Sequence, residues 1–218
     1  MSQQEAITAP EFSRLLTGAD FCGQLDDILL YSNRTHGNAG FAVYRAAGEL
    51  ILSDAMNEHD LHELTRGDDG LARPDLAVAV HTHSPNIFNF SSGLLSPRDL
   101  AAHILLDNEQ PGVISMVAKQ FGYDFESGAF TTLHMTRRTA AIDAPPLGEQ
   151  IVAVSDLPTF PRFIPEHEAA MAEVGLASVR GRYSAPHLLE VQLAEQAPPK
   201  YQPGAANLTR QLFWGVPR

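Results

Sequence analysis

The apolar positions of the chain fall into runs whose spacing switches between helical and strand-like. In residues 11–31 (EFSRLLTGADFCGQLDDILLY), Leu15, Leu16, Cys22, Leu25, Ile28 and Leu29 recur at the spacing of one buried helix face. Gly18 and Gly23 weaken the middle of that run, so the pattern predicts a bent helix or two short ones. SNRTHGN (32–38) is a turn cluster. GFAVYRAA (40–47) and ELILSDA (49–55) are rich in β-formers and flank Gly48, which predicts a hairpin. NEHDLHELTR (57–66) predicts a turn or two of helix with Asn57 as N-cap, and RGDDGLARPD after it a loop.

DLAVAVHTH (75–83) is a near-continuous apolar run that ends in two histidines, the pattern of a buried central strand covered by helices. A loop is expected over 84–96. SPRDLAAHILLDN (96–108) then carries strong helix signals: Ser96 suits the N-cap, Pro97 the first helical position, and Asp99 the positive end of the helix dipole. GVISMVAK (112–119) and AFTTLHMTR (129–137) predict two further strands, with YDFESG turning between them. From Pro145 the texture changes, because prolines recur to the end of the chain; helices are expected at 165–174 and 184–195. The expected organisation is an α/β domain over 1–144, a mixed sheet flanked by helices, with a proline-rich appendage of unassigned fold over 145–218.

Composition narrows the class. With 44% apolar and 19% charged residues, the 218-residue chain has the make-up of an ordinary globular protein and not of a disordered one. The formal net charge of -11 repels phosphates, so neither nucleic acid nor an anionic membrane is expected as a partner. Cys22 is the lone cysteine, which excludes an intrachain disulfide, a zinc knuckle and a CxxC redox motif. The polar start, MSQQEAITAPEF, lacks the basic-then-apolar pattern of a secretory leader, and no apolar run approaches the roughly 20 residues that span a bilayer. A cytoplasmic location is the resulting expectation.

The candidate chemistry lies in HTHSPNIFNFSSGLLSPRDL, residues 81–100. On a strand, His81 and His83 point to the same face because side chains alternate with period two. Asp99 offers a carboxylate from the first turn of the following helix. Two imidazoles, one carboxylate and an open position make an ordinary catalytic zinc shell.

This arrangement resembles the JAMM metalloprotease family, also called MPN+ or Mov34/JAB-like, over about residues 20–137. His81-Thr82-His83 and Ser96-Pro97-Arg98-Asp99 match the His-x-His and Ser-x-x-Asp parts of its motif. The resemblance implies a JAMM/cytidine-deaminase-like core and one zinc ion on His81, His83 and Asp99. It also implies an oxyanion-stabilising role for Ser96 and cleavage of a peptide, isopeptide or related amide bond in a protein or peptide conjugate. Two departures stand out. The loop before Ser96 is long (84–95), and Ser84 stands where the family has proline. More seriously, the family's upstream glutamate, the base that takes a proton from the attacking water, belongs near His36-Gly37-Asn38, where there is no acid. Pairing about a turn at Ala47 nominates Glu58 as the substitute and Glu49 as a more distant candidate.

Three readings follow: a zinc hydrolase; an inactive relative serving as a binding or scaffold module, which the missing acid favours; and another metal enzyme holding iron or manganese on the same 2-His-1-carboxylate set. Retention of His81, His83, Ser96 and Asp99 together favours the first. Other features have plainer expectations. His103, on the face of Asp99, is expected to be partly exposed packing; His59 and His62 to mark a solvated face; Phe88 and Phe90 to pin their loop; and Leu212, Phe213 and Trp214 to tuck back on the protein.

Overall fold

The computed structural model describes residues 6–57, 61–83, 94–121, 130–138, 145–157 and 164–184. Helix α1 (Ala9–Thr17) opens with a capping box in which Thr8 accepts from the Glu11 N–H and Glu11 reaches back to Thr8. Gly18, in an extended conformation, ends α1 and caps α2 (Ala19–Thr35), so the break expected in this stretch falls at the first of its two glycines. Gly23 sits inside α2. That helix stops at His36, which adopts a left-handed conformation (φ 56°).

Strands β1 (Ala39–Ala46) and β2 (Glu49–Leu52) form the expected hairpin. Its two turn residues, Ala47 (φ 51°) and Gly48 (φ 86°), both take positive φ, which matches the right-handed twist of the strands they join. The chain returns to β1 as β3 (Met56–Asn57), where Asn57 pairs with Ala39. The helical turn expected from 57 therefore begins later, as α3 (Leu61–Thr65), because Asn57 is spent on the sheet.

β4 (Leu76–Thr82), α4 (Pro97–Glu109), β5 (Ile114–Phe121) and β6 (Phe130–Arg138) follow, then α5 (Leu147–Ser155), α6 (Ile164–Glu173) and β7 (Leu176–Ser184). Together they complete a mixed α/β fold. The seven-stranded sheet runs β2-β1-β4-β5-β6-β7, with β3 also beside β1. Only β4 and β5 are parallel; α4 supplies the crossover that a parallel pair requires. The strand ending in His-x-His is thus central, as its apolar run predicts. Residues 176–184, within the stretch read as an appendage, supply the last strand of this sheet, and Ser184, the expected start of a helix, ends β7.

The two faces of the sheet differ, and the difference positions the site. Val78, Val80, Met116, Leu133, Met135 and Val179 face α1 and α2 and form the main apolar core with Phe12, Leu16, Phe21, Leu25 and Ile28. Phe21 meets Phe41 edge-on, centroids 5.3 Å apart, which locks α2 to β1. The other face is mixed. Val117 packs with Leu100 and Ile104 of α4, Val154 of α5 and Met171 of α6. Beside them lie buried polar residues: Ser115, Lys119, His134, Thr136 and Ser178. By strand alternation His81 belongs to this second face, and in register it lies beside Val117, which in turn pairs with His134. No helix among the described residues is long and apolar enough to cross a membrane.

Candidate metal centre

His81 is the penultimate residue of β4 and His83 directly follows the strand, its N–H still bonded to the Ala118 carbonyl of β5. Both imidazoles therefore start from backbone held by neighbouring strands. Thr82, between them, points to the opposite face and is fully buried. Its hydroxyl accepts from the Ala39 N–H (3.0 Å) and donates to the Ala39 carbonyl (3.3 Å), tying the start of β1 to the histidine pair. Thr82 reads from sequence as a mere spacer; only the alternation of strand side chains hints at its different role.

Asp99 is fixed by a second capping box. The Ser96 hydroxyl accepts from the Asp99 N–H (3.2 Å), and Asp99 Oδ2 accepts from the Ser96 N–H (2.7 Å). The preceding residue is anchored too, since the Leu95 N–H donates to His134 Nδ1 at 2.9 Å. Nothing local to the motif signals His134, which arrives from β6, far along the chain.

These supports bring two imidazoles and one carboxylate together. His83 Nε2 lies 2.9 Å from Asp99 Oδ2, His81 Nε2 lies 3.4 Å from Asp99 Oδ1, and the two Nε2 atoms are 3.4 Å apart. A tetrahedral zinc with ligand bonds near 2.1 Å would separate its donors by about 3.4 Å. The distance between the two imidazole nitrogens and that from His81 to Asp99 Oδ1 match this separation, while Asp99 Oδ2 lies closer to His83, so the group can hold a metal ion of that size. It is the one His/Cys/Asp/Glu group of this kind among the described residues. Each of the three side chains is about one-fifth exposed, which leaves the centre open on one side.

Protonation states agree with that use. Burial pushes the Asp99 carboxyl up, but facing His81 and then His83 outweigh it and hold the group well below the usual carboxylate range. Burial pushes the His83 imidazole down against the opposing hydrogen bond from Asp99, which favours its neutral form. An ionised carboxylate and a neutral imidazole are what a metal ion requires.

The centre opens into a cavity of about 680 Å³, lined among others by Asn38, His62, Ser96, Arg98, His103 and Ser115. His103 departs from expectation. It is 1% exposed, its Nδ1 is 2.9 Å from Ser115 Oγ, and its Nε2 has no hydrogen-bond partner among the described residues. It is buried because α4 lies over β5, which brings Ser115 beneath it; the periodicity of α4 alone does not reveal this. His62 is exposed on α3, as expected, yet lines the cavity.

Of the two candidate bases, Glu58 lies outside the described residues, as do His59, Phe88, Phe90 and residues 212–214. Glu49 is too far away. It pairs with Ala46 at the turn, whereas Gly40 is the residue opposite His81, a separation of roughly 20 Å along the strand. The position left without an acid is represented in the cavity by Asn38. No known protein-family model matches the chain, and no curated protein matches it in sequence.

Proposed function

We propose that this protein is a zinc-dependent hydrolase of a peptide, isopeptide or related amide bond, with a JAMM-like core. The observation that carries the reading is the convergence of ligand atoms of His81, His83 and Asp99 within 4.8 Å of one another in the lining of a cavity that Ser96 also lines. A central strand bearing His-x-His, followed by a helix that opens with Ser-x-x-Asp, supports the JAMM likeness.

Zinc held there would polarise a carbonyl and make water acidic enough to attack it near neutral pH. The chain's own residues would do the rest. Ser96 accepts from the Asp99 N–H and keeps its own hydroxyl hydrogen to donate, which suits stabilisation of a developing oxyanion. Asp99, bonded through its own N–H and carboxylate to Ser96, would hold its orientation without reorganising. The general base is assigned to Glu58, which follows Asn57; Asn57 pairs with Ala39, next to the residue opposite His81. A protein or peptide conjugate is the proposed substrate.

A second reading, a metal-holding but inactive binding module, is favoured by one observation: the His36-Gly37-Asn38 segment offers an amide where hydrolysis needs an acid. Glu58→Gln separates the two. In an active enzyme this variant keeps its zinc and loses turnover by about 100-fold, the size of a general-base contribution. Full activity in the variant removes Glu58 from its role. Absence of any cleavage by zinc-loaded wild type, across peptide and isopeptide libraries, favours the binding module.

A further inference from the structure

The cavity beside the triad is lined by arginines on a chain that is acidic overall. The protein carries a formal net charge of -11, yet the described residues lining the cavity include Arg66 and Arg98 and a single acid, Asp99, which belongs to the triad. An arginine lining a cavity on an otherwise acidic protein gives an anionic ligand a local partner.

The two arginines are not equivalent. Arg66 is already engaged: its guanidinium donates to the Glu109 carboxylate at 3.0 Å and to the Gly70 carbonyl. Arg98 is exposed and makes no hydrogen bond or ion pair among the described residues. It is the second residue of α4, directly before Asp99, on backbone that the Ser96–Asp99 capping box holds in place. A planar guanidinium beside the triad, without a partner among the described residues, is suited to holding a carboxylate in two-pronged fashion.

We propose that Arg98 binds a carboxylate of the substrate, so that the bond cut lies close to a free C-terminal carboxylate. The inference deepens the hydrolase reading above and rests on it: Arg98 orients the C-terminal end, and the triad and Ser96 face the amide next to it. The protein then trims short C-terminal pieces and discriminates against the same bond placed far inside a chain.

The test uses the full chain loaded with cobalt and two thiol probes, 3-mercaptopropionate and its neutral amide, 3-mercaptopropionamide. Binding is read from the thiolate-to-cobalt absorption band and by calorimetry. The acid is expected to bind about tenfold tighter than the amide, or more, the scale of a charge-assisted hydrogen bond. Arg98→Gln should remove that preference and leave affinity for the amide unchanged, and Arg98→Lys should keep part of it. In a peptide assay, a C-terminal acid should be cleaved faster than its C-terminal amide, while an internal side-chain carboxylate should not substitute. Equal affinity for acid and amide, or a preference that survives Arg98→Gln, overturns the inference and leaves the metal centre standing. A chain that takes up no cobalt overturns the metal reading, and this inference with it.

Discussion

His103 shows how much a single side chain can impose on the protein around it. Burial, with Arg138 and Arg137 nearby, pushes its imidazole down to about 3. In the unfolded chain it titrates near 6.5. Between those values the unfolded state takes up a proton that the folded state refuses, so stability falls as pH falls through this window and is fully present only above it. His83, also pushed down, acts in the same direction. Asp99 works lower: its folded-state carboxyl is depressed, so its contribution is present above the ordinary carboxylate range and lost as pH drops below it. His103→Asn preserves a polar atom toward Ser115 and removes the titration. Urea unfolding of this variant between pH 7 and 3.5 should show a shallower acid limb, by on the order of a few kcal/mol. An unchanged pH dependence would show that His103 does not hold its neutral form in the folded protein.

At the scale of elements, the start of α4 combines two jobs. Ser96 caps the helix, and the same box orients the Asp99 carboxylate. Ser96→Ala removes the hydroxyl but leaves the Ser96 backbone N–H bonded to Asp99. It should cost about 1 kcal/mol of stability as a lost cap, keep stoichiometric metal, and lower turnover by about 100-fold if the hydroxyl faces the oxyanion. Thermal unfolding, metal content and turnover measured on one preparation separate these effects. Loss of metal would mean instead that the cap, and not the strand pair, limits ligand geometry.

This part of the molecule was legible in the sequence because its determinants are local. Ser96, Pro97 and Asp99 signal a helix start among themselves, and His-x-His on an apolar strand needs only period-two alternation to converge. The supports were not legible. Thr82 acts on Ala39, His134 on Leu95 and Ser115 on His103, each across strands or helices far apart in sequence. Hairpin register already made Glu49 the more distant base candidate, and the tight turn at Ala47 and Gly48 does leave it at the far end of the hairpin.

Across the whole molecule, the sheet divides labour between its faces. One face buries the apolar core against α1 and α2; the other carries the polar row and the histidines of the candidate metal site. Apolar packing on the first face anchors β4, and from it two imidazoles on the second come close enough to share one ion. If this anchoring serves metal binding, the most direct test is the metal content of the full chain. After removal of adventitious ions and reconstitution with zinc, elemental analysis should find about one zinc per chain. His83→Ala should fall to near zero while retaining the wild-type circular dichroism spectrum. Wild-type protein that holds no zinc after reconstitution, or a His83→Ala variant that holds as much as wild type, would contradict the account.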